Sequence, residues 1–217
     1  LINNTSRGAS GNLFLYNDDG APMLLNTNLG RGNRFSFTLG AGEVFRLETD
    51  GQGPMQKGWT KVVSDTELTG SGAFTITDTL GNFVSQVGIG DSVPALQQMI
   101  FAETSQGRYS AFAVCNPDSS GTAHLAFELR TIDGRPVATK SLSLGPLAHR
   151  AEYVTETFGQ TDLRNFTGVL LVSSDLPLSL ITLRTFGPNY TSLPSVPAPT
   201  PGQPAESLIF PRVCDGK

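Results

Sequence analysis

Cysteine, histidine, tryptophan and charge are all scarce in this chain, and each scarcity removes a class of protein. Two cysteines, Cys115 and Cys214, and two histidines, His124 and His149, stand among 217 residues. They are too few for a disulfide framework, and no CxxC or Cys/His spacing suits zinc, so no metal and no cofactor are expected. Charged residues make up 16% of the chain, which argues against long charged helices and coiled coils. The net charge of −4 provides neither the basic stripe that tracks phosphates nor a polybasic patch for a membrane surface, so nucleic acid is not an expected partner. No apolar run approaches the roughly 20 residues of a bilayer-crossing helix, and no membrane span is expected. The chain opens at Leu1 with neither a Met nor a leader pattern, as expected of a processed product.

What the chain has in quantity is turn formers and alternation. Glycine (24) and proline (14) imply frequent turns, and a hydrophobic fraction of 38% can bury a core as one large or two small domains. Leu13 and Leu15 alternate with polar neighbours, as do Phe35, Phe37 and Leu39, then Phe74 and Ile76, which is strand periodicity. Similar segments recur at Tyr109 to Cys115, Thr122 to Thr131, Val137 to Leu144, His149 to Val154, Gly168 to Ser174 and Leu178 to Phe186. Thr155 to Arg164 is the main helical stretch, one or two turns at most. Short strands at this spacing predict an all-β sandwich or barrel.

An internal repeat favours two sandwiches. Leu13 to Asp19 resembles Phe112 to Asp118 at an offset of 99, Ser36 to Gly40 resembles Ser141 to Gly145, Gly58 to Asp65 resembles Gly168 to Asp175, and Thr79 to Gly81 resembles Thr185 to Gly187. The expected fold is therefore two homologous Ig-like, Greek-key-type β-sandwiches, residues 1–94 and 95–195. A Pro-rich linker (196–206) and a C-terminal strand (207–217) follow. The second unit opens with an extra apolar strand at Met99 to Gly107 that the first lacks. Its counterpart is Leu208 to Gly216, aligned at a single offset of 109. Between Pro194 and Pro204 five of eleven residues are proline, an extended arm of roughly 34 Å at about 3.1 Å per residue. Leu208, Ile209, Phe210, Pro211, Arg212 and Val213 thus form a candidate donor strand. It is expected to run beside Asn12, Leu13, Phe14, Leu15 and Tyr16 in its own or a neighbouring chain, or to begin a further repeat.

Gly58-Trp59, Asn116-Pro117 and Ser192-Leu193-Pro194 together resemble uncharacterised secreted bacterial proteins with tandem β-sandwich units. The resemblance covers roughly Gly8 to Pro197, and it implies a fold and export without assigning an activity or site residues. In the first half Asp18 stands where that pattern has proline.

Catalytic constellations are lacking. No Gly-x-Ser-x-Gly elbow accompanies His124 or His149, and Asp19, Asp118, Glu103 and Glu152 carry no feature that selects an acid pair. Asp18-Asp19-Gly20 and Asp215-Gly216 read as turns rather than calcium loops. Trp59 is a candidate ligand platform for a glycan, although its alignment with Val169 favours packing. The expectation is a non-catalytic extracellular structural subunit, secreted or at the cell surface, that self-associates head to tail into a filament. The alternative is a carbohydrate-binding or adhesive module.

Overall fold

The computed structural model describes residues 1–197. The Pro-rich linker beyond Pro197, the donor segment Leu208 to Val213 and Cys214 lie outside the described residues. The chain is all-β, with several antiparallel sheets. In order the strands are β1 (Ala9–Asn17), β2 (Leu25–Thr27), β3 (Gly30–Gly32), β4 (Arg34–Leu39), β5 (Gly58–Ser64), β6 (Ser71–Thr77), β7 (Phe83–Gly90), β8 (Ala95–Glu103), β9 (Arg108–Cys115), β10 (Ala123–Thr131), β11 (Pro136–Leu144) and β12 (His149–Tyr153). After a single-turn helix α1 (Val154–Thr157) come β13 (Thr167–Phe186), β14 (Asn189–Leu193) and β15 (Val196–Pro197). The helix is shorter than the sequence suggests. Glu156 reaches back to the Tyr153 amide at 2.7 Å and starts the turn, and Gly159 follows one residue beyond Phe158, where helical geometry is lost.

The C-terminal half is built in two layers. One runs β11-β10-β13-β8-β15 and the other β12-β9-β13-β14, with β13 serving both. Its first part pairs β10 and β8, and its second part, from Ser179 on, pairs β9 and β14; the β8 register breaks between Ser173 and Leu178, at Asp175-Leu176-Pro177. Phe112, Phe127, Ile100, Leu129, Leu170 and Leu180 fill the space between the layers and are almost wholly buried.

The N-terminal half repeats part of this plan, in a different alignment from the one the sequence suggests. Ala9 opposes Leu39 as Ala123 opposes Leu144, and Gly11 opposes Ser64 as Leu125 opposes Ser174. Thus β4-β1-β5 matches β11-β10-β13, and β1 is the counterpart of β10, not of β9. The turn after each strand agrees. Gly20 donates to Asn17 and Asn17 to Ala21, as Gly134 donates to Thr131 and Thr131 to Arg135, with φ of 82° at both glycines. The alignment of Leu13 to Asp19 with Phe112 to Asp118 rested on alternation and a shared Asn, which any two strands of one phase satisfy. The extra hairpin β2–β3 between β1 and β4 lowers the offset from 114 at Ala9 and Ala123 to 105 at Leu39 and Leu144.

The partner of Asn116 is Asn3. Asn116 Nδ2 donates to the carbonyls of Gly121, Leu144 and Gly145, and its Oδ1 accepts the Asp118 amide. Asn3 Nδ2 donates to Arg7, Leu39 and Gly40, and its Oδ1 accepts the Thr5 amide. Both side chains are fully buried. Ile2 lies between Val44 and Thr69 as Cys115 lies between His149 and Ser179. Leu1 to Asn3 therefore occupies the place of Val114 to Asn116, and Cys115 corresponds to Ile2 rather than to Tyr16. Each asparagine holds two loops with one amide, so truncating it strands several buried carbonyls. Asn116→Ala is expected to lower the unfolding free energy by about 2–3 kcal/mol in denaturant titration, and an effect under about 0.5 kcal/mol would contradict this role.

Candidate functional site

Four places carry candidate chemistry or a candidate binding surface. The first is at His124, whose ring Nδ1 lies 3.1 Å from Ser143 Oγ. Asp175 is close by, but its Oδ1 accepts the His124 backbone amide at 2.7 Å and not the ring. A base oriented by a carboxylate needs that bond on its second ring nitrogen. Asp65 makes the same contact with the Ser10 amide at 2.7 Å, so Asp175 repeats a structural feature of the fold.

The second lies where the two halves meet. Trp59 stacks on Tyr16 with ring centroids 5.2 Å apart, and its Nε1 donates to the Leu147 carbonyl at 2.8 Å. Lys61 Nζ donates to the Pro117 carbonyl at 2.9 Å. Asp18 accepts both the His149 amide (2.9 Å, through its carbonyl) and a bond at 2.8 Å between its Oδ1 and His149 Nδ1. His149 is thus a junction residue rather than a solvated strand position, its side chain only 8% exposed. The polar tip of Trp59 is likewise engaged by the other half. Asp18 belongs to this junction, and because Asn116 corresponds to Asn3, the position of Pro117 is matched by Asn4 and not by Asp18.

The third is Glu103, 7% exposed at the end of β8. Its carboxylate accepts from Ser105 at 2.9 Å and from Arg184, and Arg108 lies 3.8 Å away. Burial pushes its pKa up, but the hydrogen bonds from Ser105 and Arg184 and the charges of Arg184 and Arg108 outweigh this and hold it below its usual value. The carboxylate is neutralised by Arg184 and Arg108, an arrangement that ties β8 to β13. Among the described residues no group of His, Cys, Asp and Glu could hold a metal ion.

The fourth is the edge of β5. In the C-terminal half the matching stretch of β13 is flanked by β10 and β8, whereas β5 has β1 on one side and, among the described residues, no strand on the other. Val62 opposes Leu13 on the core face yet is 36% exposed, while its counterpart Val172 is 3% exposed under β8. The sequence placed the acceptor at Asn12 to Tyr16. That strand is the middle of its sheet: Asn12, Leu13 and Phe14 pair with β4 on one side and with β5 on the other, while Leu15 and Tyr16 pair with β5 and bond or bridge on their other side to Asn33 and Met23 or Pro22. It has no open edge for a donor, contrary to the expectation from the sequence. The signals that mark β5 instead were present as Asp19-Gly20 with Asp133-Gly134 and as Ser64-Asp65 with Ser174-Asp175.

No family model matches the chain, and no curated protein matches it. A solved structure from Thermotoga maritima, protein 1070, is similar over 51% of this chain and 98% of its own, at 13% identity and a TM-score of 0.38.

Glu103 links the junction between strands to pH. Because its folded pKa is depressed, its contribution is fully present above the ordinary carboxylate value of 4.5 and is lost as pH falls below it. Glu103→Gln is expected to be less stable than the parent near pH 7 and to approach it near pH 3 in thermal unfolding. A gap that stays constant across that range would contradict the pairing.

Proposed function

We propose that the chain is a non-catalytic extracellular structural subunit made of two homologous Ig-like β-sandwiches, which self-associates head to tail by β-strand donation. The open edge of β5, in the place that β8 fills in the other half, is the observation that carries this reading. A strand with unpaired N–H and C=O groups beside an incompletely covered apolar face recruits another strand unless something blocks it. The first half has a small buried cluster of Leu13, Leu15, Met23 and Phe35, and a further strand would extend it. The low charge, the turn-rich composition and the resemblance to secreted tandem-sandwich proteins support export. A donor reaching into the next molecule repeats the same contact along a line and gives an open filament unless rotation closes a ring. Trp59 as a glycan platform is the weaker reading, because its indole N–H is already bonded across the junction.

Sedimentation and electron microscopy of the full chain, beside a chain lacking Ser207 to Lys217, test the proposal. The full chain is expected to form ordered, concentration-dependent assemblies and the shortened one to lose them. Ordered assemblies that survive the deletion would overturn it, and so would a monomeric full chain whose saturable glycan binding is lost in Trp59→Ala.

A further inference from the structure

Resting on the strand-donation reading, we infer that the segment Leu208 to Pro211 seats antiparallel on β5, with Leu208 opposite Lys61, Ile209 opposite Thr60, Phe210 opposite Trp59 and Pro211 opposite Gly58.

The register follows from two independent matches. Gly58 corresponds to Gly168: a Cβ on the first would lie 1.9 Å from the Tyr16 carbonyl oxygen, and on the second 2.0 Å from that of Arg130. Tyr16 and Arg130 in turn occupy the same place one residue before the matched turns. With Ser64 on Ser174 at the other end, every residue of β5 is fixed against β13. On its second flank β13 pairs Leu171 with Met99, Leu170 with Ile100, Val169 with Phe101 and Gly168 with Ala102. The sequence match of Leu208-Ile209-Phe210 to Met99-Ile100-Phe101 carries those pairs onto β5.

Side-chain polarity agrees with this register. Ile100 is 1% exposed and lies over the core, while Phe101 is 41% exposed on the outer face. Ile209 then lies on the Leu13–Leu15 face, opposite Thr60 and diagonal to Val62, and Phe210 lies outside beside Trp59, extending the stack of Trp59 on Tyr16. Slipping by one residue would turn Ile209 outward and bring Leu208 and Phe210 onto the core face, reversing the arrangement of Ile100 and Phe101. Thr60, which occupies the place of buried Leu170, is exposed and leaves room for an incoming aliphatic side chain. Pro211 has no N–H to give and ends the ladder opposite Gly58.

Paired cysteines read the register directly. In a Cys214→Ser chain, Thr60→Cys with Ile209→Cys is expected to form a disulfide under mild oxidation about tenfold faster than Thr60→Cys with Phe210→Cys, because directly opposed Cβ atoms alone meet the geometry. Lys61→Cys with Leu208→Cys is a second pair of opposite hydrogen-bonding phase, in case Ile209→Cys weakens docking. A ladder of crosslinked oligomers supports both the seat and head-to-tail assembly. Crosslinking confined to single chains supports the seat and overturns head-to-tail assembly. If the full chain assembles and neither pair crosslinks, the seat is wrong and the assembly reading stands. A disulfide between two copies of Thr60→Cys would show that two β5 edges pair with each other, which also overturns the seat.

Discussion

Every strand inside a sheet must find hydrogen-bond partners for its backbone on both flanks or leave them to water, and the whole organisation of this chain turns on how the two halves meet that demand. In the C-terminal half the middle strands β10 and β13 are paired on both sides, and the side chains between the two layers are correspondingly dry. In the N-terminal half the middle strand β1 is satisfied by β4 and β5, but the pairing stops at β5. The effect reaches beyond one edge. Among the described residues β6 pairs only with β7 and is exposed along almost its whole length, and Phe74 and Phe83 of the β6–β7 hairpin remain open to solvent.

What holds the incomplete half in shape is a small number of polar contacts that do several jobs. The buried amide of Asn3 gathers the N-terminal segment and the end of β4 into one knot, and Asn116 does the same work in the other half. Beyond this, the N-terminal half leans on its neighbour. Trp59 and Lys61 bond to the loops that precede β12 and β10, Asp18 bonds to His149 at the start of β12, and the β6–β7 hairpin lies against β14, where Ser192 donates to the Gly88 carbonyl and Tyr190 donates to Ser85. Several of these partners are main-chain carbonyls, so the contacts depend on the path of the backbone at Leu147, Pro117 and Gly88 more than on side chains there.

Alternation made the all-β class and most strand positions in the C-terminal half legible in the sequence, because strands with one wet face carry a clean period of two. Trp59, Gly58 and Asn116 also stood out. What alternation could not provide was the correct pairing of the repeats, since a strand phase is satisfied equally by β9 and β10. The matching turns at Asp19-Gly20 and Asp133-Gly134 discriminate, because a left-handed glycine after an aspartate constrains the backbone at one point rather than along a run. Asn3 was hidden in a polar opening segment, with nothing local to show that it is buried. The junction role of His149 was equally invisible, since its partner Asp18 is distant in sequence. The acceptor edge was misplaced for the same reason as the repeat: locating an edge requires knowing which strands flank which, and that is tertiary information.

Strand donation requires that the outer edge of β5 be covered in the full chain. Residue-resolved hydrogen exchange compares the amides of Gly58 to Ser64 in the full chain and in a chain ending at Pro197. Those pointing towards β1 should be protected equally in both, and those pointing away from β1 should be protected only in the full chain. Fast exchange of the outward amides in both chains would contradict the account.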